Sequence, residues 1–230
     1  MLITARHIYF VQKQKGNTMN YLELINKCLT ELNYKEVNSF SELVKNDHKK
    51  IKNILNLINS EICRFDSWNF LLRKTSFTLP RNTGEVENNV NGRIAMLLVD
   101  GVKYEFFQDF QKFLTNTQPP CTYSVFNDKF LFPIFNTDKT IEVAYYTSNC
   151  AKDSQDNEKL NLTEASDETL IPETFAEPIL VYGTCARLKG NPQHIRFSYW
   201  ISMYNNALAN LRAKNSVKAD LTPNVKLFRY

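Results

Sequence analysis

Histidines, carboxylates and cysteines are the side chains of this sequence that could support catalysis or hold a metal ion. The three histidines, His7, His48 and His194, lie far apart and fit no metal-binding or hydrolase motif. Asp47 and Asp66 could be imagined as paired carboxylates for acid–base chemistry, but their spacing does not support a pair. We therefore predict no catalytic residue, no metal ligand and no cofactor. An active site assembled in space from distant residues remains the alternative.

The five cysteines include no C-x-x-C pair, so a zinc or dithiol motif is not indicated. Cys28, Cys63 and Cys185 fall among apolar residues with helical spacing, where a reduced cysteine acts as a small buried hydrophobe. Free thiols of this kind are typical of a reducing compartment such as a cytoplasm. No apolar run approaches the length of about 18 residues that a membrane-spanning helix needs, so no membrane partner is expected.

Charge is distributed unevenly along the chain, although the formal net charge is only +4. Acidic side chains predominate between Lys152 and Glu177, whereas Asp220 is the only acidic side chain from Arg187 to the C-terminus. Patches of opposite sign on one chain favour head-to-side self-association. Two separate solvated surfaces are the alternative. The candidate interface residues of these patches are Arg187, Lys189, Arg196, Asp167 and Glu168.

The C-terminal segment, residues 215–230, is too polar to fold alone yet ends in apolar and aromatic residues. Aromatic anchors on such a segment commonly fill pockets on a partner and become ordered on binding. We predict a docking tail with Lys226, Phe228 and Tyr230 as its contact residues. A frayed terminus is the alternative.

A row of lysines, Lys45, Lys49, Lys50 and Lys52, could neutralise nucleic-acid phosphates. No helix-turn-helix spacing, zinc knuckle or aromatic RNA-binding motif accompanies the row. A lysine-rich face on a long helix is more often the solvated side. Weak, non-specific contact with double-stranded DNA is therefore the prediction, and a basic nucleic-acid-binding accessory protein is the alternative function.

Helical periodicity marks both ends of the chain. Residues 20–32 place their apolar side chains on one stripe, and a second helix of about 25 residues is predicted to begin at a Ser41 cap and end near Phe65. A third helix is predicted from Pro172 to Gly190. Pro178 lies inside it, so this helix either kinks there or begins nearby. The last helix is predicted to begin at Pro192.

Strand signals fill the middle of the chain. Alternation predicts strands at residues 74–79, 94–99 and 102–105, with Asp100-Gly101 as a hairpin turn. A three-stranded meander is predicted at residues 122–127, 129–136 and 140–148, and a short helix at 107–114. Residues 81–92 are polar and loop-like, and residues 149–169 are predicted to be a linker or an exposed acidic loop.

These elements predict an α+β fold, a helical bundle of N- and C-terminal helices with an inserted small antiparallel β module. Met19 begins a clean helical pattern, so residues 1–18 are predicted to be a flexible extension that precedes the natural start. The predicted units are a helical body at 19–73 and 170–214, a β module at 74–148, an acidic loop at 149–169 and a docking tail at 215–230.

The order of several motifs resembles the head-to-tail adaptor, or head completion, proteins of short-tailed double-stranded DNA phages. The resemblance covers roughly residues 19–214. It rests on packing motifs, and the order of these motifs along the chain is more specific than any single motif. They are YLELIN at 21–26, VNS at 37–39, FDSWNFLLRKT at 65–75, FTL at 77–79, the strands at 123–146 with their paired tyrosines, IPETF at 171–175, LVYG at 180–183, YWISMY at 199–204 and NALANL at 206–211.

The resemblance implies a structural protein of the virion at the head–tail junction, assembled in the host cytoplasm. It implies a ring of identical subunits, usually a dodecamer, that binds beneath the portal protein, extends the DNA channel and carries the tail or nozzle protein. It implies no catalytic residue, and the C-terminal tail is the element expected to bind the portal. The chain departs from the family pattern in its N-terminal extension, in Pro178, and in residues 81–92, which replace a glycine-rich loop.

Overall fold

The computed structural model describes residues 19–216 of the chain. Its helices are α1 (Tyr21–Glu31), α2 (Asn46–Phe65), α3 (Gln111–Leu114), α4 (Glu173–Lys189) and α5 (Phe197–Ser216), with 3-10 turns at Phe40–Glu42 and Asn69–Leu71. The predicted extension 1–18 and residues 217–230 of the predicted tail lie outside the described part of the chain.

Helix α1 begins where the sequence predicts, because Asn20 and Glu23 cap it reciprocally. The Asn20 side chain accepts from the Glu23 N–H at 3.0 Å, and the Asn20 N–H donates to the Glu23 carboxylate at 2.8 Å. This capping box satisfies two amides that the first turn leaves without helical partners.

Helix α2 is shorter than predicted, and Ser41 is not its cap. The Ser41 hydroxyl instead hydrogen-bonds to Ser39 at 2.7 Å within the preceding 3-10 turn. The residue before the first turn of α2 is Lys45, whose side chain makes no capping hydrogen bond. The local serine contacts therefore hold residues 39–42 as a separate turn.

Helix α4 runs through Pro178 and ends at Gly190, which adopts a left-handed conformation with φ of 52°. The end of this helix is therefore confirmed. The predicted start of the last helix at Pro192 is wrong, because α5 begins at Phe197. Asn191 explains the difference, since its side chain accepts from the Gln193 N–H at 2.9 Å and stabilises a turn.

Helices α1, α2, α4 and α5 form the helical body, in which α4 packs against the other three. The predicted burial of Cys28, Cys63 and Cys185 is confirmed. Burial raises the pKa of the Cys28 thiol, which keeps it protonated at neutral pH. The fully buried large side chains of this core include Tyr21, Leu24, Ile25, Leu29, Ile51, Leu55, Ile58, Trp68 and Trp200.

The middle of the chain forms a seven-stranded mixed sheet with the order β1-β7-β3-β4-β5-β6-β2. All neighbouring pairs are antiparallel except β4 and β5, which are parallel. Its strands are β1 (Leu72–Leu79), β2 (Glu85–Glu87), β3 (Gly92–Val99), β4 (Val102–Phe106), β5 (Thr122–Phe126), β6 (Lys129–Leu131) and β7 (Lys139–Thr147).

The sheet curls into a nearly closed barrel with a core of its own. Phe77 of the edge strand β1 stacks on Phe130 of β6 with ring centroids 5.7 Å apart, although the two strands lie near opposite ends of the strand order. The barrel core is formed by Leu79, Leu97, Val99, Tyr123, Phe130, Phe132, Ile141 and Val143.

The predicted fold class is therefore corrected. The class α+β holds, but the molecule is dominated by the large barrel-like sheet, and it is not a helical bundle with a small inserted β module. The predicted meander is also wrong in its pairing, because β6 pairs with β5 and β2, whereas β7 pairs with β1 and β3. Strand β2 lies within residues 81–92, which were predicted to be a loop. It pairs with the edge of β6 at which the predicted meander placed β7.

The β3–β4 hairpin is confirmed at Asp100 and Gly101, whose φ angles of 48° and 80° suit a two-residue turn with positive φ at both positions. The Asp100 carboxylate accepts from the Thr140 N–H at 2.9 Å and pairs with Lys139 at 2.8 Å. These contacts join the hairpin to the start of β7.

Residues 149–169, predicted to be a linker or an exposed loop, contain a small three-stranded sheet of β8 (Ala151–Lys152), β9 (Glu158–Lys159) and β10 (Glu168–Thr169). Cys150, Ala151 and Leu162 of this segment are buried in the core of the helical body. The segment therefore packs on the helices through these apolar side chains, although its overall composition is polar.

Candidate assembly surfaces

The basic residues predicted at the interface lie at the end of α4 and in the turn before α5. The Arg187 guanidinium donates to both carboxylate oxygens of Glu61, at 3.0 and 2.5 Å. This hydrogen-bonded pair raises the pKa of Arg187 above its ordinary value. Arg187 is half exposed, so one face of the pair is open to a partner.

Arg196 binds the end of α1. Its guanidinium donates to the Glu31 carbonyl at 2.8 Å and pairs with the Glu31 carboxylate at 3.2 Å. The Trp200 indole N–H also donates to that carboxylate, at 3.1 Å. An acidic side chain at a helix C-terminus opposes the helix dipole, so Arg196 compensates an unfavourable charge as well as fixing α5 to α1.

Lys189 lies against Tyr34, with its ammonium 5.4 Å from the ring centroid and 3.3 Å from the phenol oxygen. Arg187, Lys189 and Arg196 thus lie around the junction of α4 and α5, where they contact α2, the loop after α1 and the end of α1, respectively. All three charged groups have partners within the chain. These partners are distant in sequence, so the sequence alone does not identify them.

The acidic candidates lie at the other end of α1. Asp167 is only 1% exposed, and its backbone carbonyl accepts from the Tyr21 N–H at 2.7 Å at the start of the helix. Its carboxylate accepts from Lys159 at 2.7 Å and from the N–H groups of Thr163 and Glu164 at 2.7 and 2.8 Å. Asp167 therefore organises the loop before β10 instead of facing solvent.

Two opposing effects set the pKa of Asp167. Burial alone would raise it, but the backbone N–H of Glu164, the Lys159 ammonium and Thr163 hold the pKa below the ordinary value of an aspartate. Its neighbour Glu168 is partly exposed and pairs with Lys152 at 2.9 Å. Of the two acidic candidates, Glu168 is the one that reaches the surface.

The sequence pattern did not indicate a group of exposed apolar side chains on β4, β5 and the segment between them. Phe106 is 57% exposed and Leu114 is 62% exposed. The Phe110 ring stacks on Phe126 with centroids 4.2 Å apart. We call Phe106, Phe110, Leu114 and Phe126 the barrel patch. The run FFQDFQKFL at 106–114 is the sequence signal. A short helix is predicted at 107–114, whereas α3 spans only Gln111–Leu114.

No described group of three or more histidine, cysteine or acidic side chains could hold a metal ion. His194 stacks on Trp200 at 5.1 Å, and His48 lies in α2. Within residues 19–216 no helix is long and apolar enough to cross a membrane. The predicted contact residues Lys226, Phe228 and Tyr230 lie outside the described residues.

Aromatic side chains are enriched in the surfaces through which proteins bind other chains, and the barrel exposes Phe106 and Phe126. A family model described as SU10 adaptor protein matches residues 19–225 of the sequence. The chain belongs to that family and is a phage adaptor protein, a component of the virion. No individual curated protein matches the chain.

Proposed function

We propose that the protein is a head-to-tail adaptor of the head completion type, which forms a ring beneath the portal, extends the DNA channel and provides the attachment platform for the tail or nozzle protein. The observation that carries the proposal is that both modules expose groups suited to contacts with other chains. The helical body exposes the Arg187–Glu61 and Arg196–Glu31 pairs, and the barrel exposes aromatic side chains of the barrel patch. A protein that joins two partners needs a contact surface for each.

The position of the charged residues supports ring formation. Asp167 and Glu168 adjoin the first turn of α1, whereas Arg196 binds its last residue, so the two groups are separated by the helix length of about 16 Å. A closed ring requires a heterologous contact between two different faces of one subunit. The two candidate faces lie at opposite ends of one helix and differ from each other, as that contact requires, with Glu168 and Arg187 as their most exposed members.

The partners proposed for the two modules differ. The helical body and the C-terminal tail, with Lys226, Phe228 and Tyr230, bind neighbouring subunits and the portal. The barrel patch binds the tail or nozzle protein. In this assignment no residue is catalytic, no cofactor is used, and the work is done by surface complementarity alone.

Measurement of mass in solution tests the proposal. Size-exclusion chromatography with light scattering should give a higher-order complex when purified portal protein is added, and electron microscopy should place the protein as a ring on the portal. A protein that stays monomeric and ignores portal under all salt conditions would refute the proposal.

A basic nucleic-acid-binding accessory protein is the second candidate function. The exposed lysines Lys45 and Lys49 have no anionic partner among the described residues, so their charges are free to meet phosphates. A monomer that shifts duplex DNA at physiological salt and does not bind portal would favour this alternative.

A further inference from the structure

Two cysteines lie side by side at the neck of the molecule. We define the neck as the two stretches of chain, residues 64–71 and 148–149, that join the helical body to the barrel. Cys63 lies in the last turn of α2, and Cys150 lies between the end of β7 and the start of β8. The chain therefore leaves the helical body just after Cys63 and returns to it at Cys150.

Packing of α2 against residues 149–169 brings the two cysteines together. The Asn59 amide donates to the Cys150 carbonyl at 3.0 Å, and Cys63 follows Asn59 by one turn on the same face of the helix. The Cys63 and Cys150 thiols also hydrogen-bond to each other. Two thiols in hydrogen-bond contact need only a small movement to reach the sulfur–sulfur length of a disulfide, about 2.05 Å.

The contact makes the two thiols chemically unequal. Their hydrogen bond lowers the pKa of Cys150 and raises the pKa of Cys63, because it stabilises the thiolate of the acceptor and the thiol of the donor. Burial opposes the lower pKa of Cys150, and the nearby Arg64 guanidinium supports it. Since the thiolate is the nucleophile, Cys150 reacts first with an oxidant, and Cys63 is placed to react with the product.

Access of an oxidant to the pair depends on the last turn of α2. Both cysteines are at most 5% exposed, but the end of a helix opens more readily than its middle. Arg64 is exposed and Phe65 is 57% exposed, so one side of this turn faces solvent. Opening of the turn uncovers Cys150 to a molecule as small as hydrogen peroxide.

A second pair of cysteines in the helical body provides an internal comparison. Sγ of Cys185 in α4 lies 3.9 Å from the Cys28 carbonyl in α1, and the two thiols hydrogen-bond to each other. Both side chains are completely buried between the two helices, and burial raises the pKa of Cys28. This pair should therefore react more slowly than the pair at the neck.

We propose that Cys63 and Cys150 form a disulfide when the virion passes from the reducing interior of the host cell to an oxidising medium, and that this bond locks the barrel to the helical body. All seven strands of the barrel lie between the two cysteines in sequence, so the bond closes the chain at the neck. The proposal rests on the chain being a virion component, and it requires neither ring formation nor portal binding.

The reaction balances with a peroxide as the oxidant. The Cys150 thiolate attacks one peroxide oxygen, which breaks the O–O bond, forms a sulfenic acid and releases hydroxide. The Cys63 thiolate then attacks the sulfenic sulfur, which forms the S–S bond and expels a second hydroxide. The two thiol protons convert both hydroxides to water. Two thiols are thus oxidised while one hydrogen peroxide is reduced to two water molecules.

Peptide mapping of the full-length protein under non-reducing conditions tests the proposal. After treatment with hydrogen peroxide and alkylation of the remaining thiols, trypsin should release peptides 53–64 and 140–152 as one linked species that a reductant separates. A link between Cys28 and Cys185 should form later. If peptides 53–64 and 140–152 stayed unlinked under conditions that oxidise the exposed Cys121, the proposal would be overturned.

The substitution Cys63→Ala separates the two chemical steps. It removes the second thiol, so the Cys150 sulfenic acid should persist and be trapped by dimedone added with denaturant, whereas the wild type should give little of this adduct. The matched control Cys185→Ala removes a buried thiol from the other pair and should leave the 63–150 link at its wild-type rate. Equal dimedone labelling of Cys150 in the wild type and in Cys63→Ala would contradict the pairing.

Thermal denaturation shows whether the bond locks the two modules together. The bond encloses residues 64–149, and a disulfide that closes a long loop restricts the unfolded chain strongly. The oxidised wild type should therefore unfold about 10 °C above the reduced wild type, and Cys63→Ala should show no such shift. Equal unfolding temperatures for the oxidised and reduced wild type would refute the locking role.

Discussion

The Thr169 hydroxyl donates a hydrogen bond of 2.6 Å to the Asn59 side chain, although 110 positions separate the two residues. Asn59 is fully buried in α2, and its amide also donates to the Cys150 carbonyl at 3.0 Å. One turn earlier, Asn56 donates to the Leu162 carbonyl and accepts from the Leu162 N–H, both at 2.9 Å. These two asparagines fix residues 149–169 to the helical body.

Replacement of Asn59 by alanine should therefore destabilise the protein. The substitution removes one hydrogen bond from the buried Cys150 carbonyl, which keeps the Leu170 N–H, and one from the Thr169 hydroxyl, which keeps the Ile171 N–H. The loss should cost about 1–3 kcal/mol in the free energy of unfolding. Urea denaturation measures the change. Asn53→Ala, at an exposed position of the same helix, should change stability by less than about 0.5 kcal/mol. Equal effects of the two substitutions would contradict the role of Asn59 in fixing residues 149–169 to the helical body.

Gly183 sets the distance between α4 and α5. A Cβ at this position would lie 2.9 Å from Cδ2 of Tyr204 and 3.1 Å from Cδ1 of Ile58. Gly183→Ala should therefore destabilise by about 1–2 kcal/mol, because overpacking outweighs the better helix propensity of alanine. The same substitution combined with Ile58→Val should lose less than the sum of the two single effects in thermal denaturation. If the two effects on stability were strictly additive, the new methyl group would not press on Ile58. The helices would then have moved apart to make room for it.

Local signals in the sequence were sufficient for several elements. The Asn20 capping box fixes the start of α1, and Asp100-Gly101 fixes the β3–β4 hairpin, because both depend on neighbouring residues alone. Burial of Cys28 and Cys185 followed from helical periodicity. Features of this kind can be predicted from a single chain.

Strand partners and charge partners could not be predicted in the same way. Alternation shows which face of β7 is apolar, but it does not show that β1 and β3 flank it. Strand β2, Glu85–Glu87, is too short and acidic to give a strand pattern. Arg187 and Glu61 are 126 positions apart, so their pairing is a property of the packed helices. These long-range contacts account for the error in fold class.

Asp167 should make stability depend on pH in the acidic range. Its pKa is lower in the folded protein than in the unfolded chain, so its contribution is complete above the unfolded value of about 4 and is lost as the pH falls through the folded value. Asp167→Asn should lower stability at neutral pH and flatten the acid limb of the stability curve. Glu164→Gln, an exposed neighbour, is the control and should leave the curve unchanged.

Arg187 should contribute to subunit association beyond its pair with Glu61. Reversal of its charge in Arg187→Glu should weaken ring assembly in a salt-dependent manner, as measured by light scattering with and without portal. The double substitution Arg187→Glu with Glu61→Arg restores the pair within the chain but moves the charges. We expect assembly to remain impaired in this variant. Full recovery would mean that Arg187 acts only inside its own subunit.

The barrel patch should contribute more to binding of the tail than to the fold. Leu114 is largely exposed, so Leu114→Ser should change the free energy of unfolding by less than about 0.5 kcal/mol. Phe106→Ser should cost about 1 kcal/mol, because the Phe106 ring packs on Tyr123. Buried aromatic anchors commonly contribute 2 kcal/mol or more to an interface, so binding of the tail or nozzle protein should fall by about thirtyfold or more. Ile134→Ser, which removes an exposed apolar side chain of the barrel outside the patch, is the matched control. Tail binding that falls equally in all three variants would show that general exposure of apolar surface, and not this patch, is responsible.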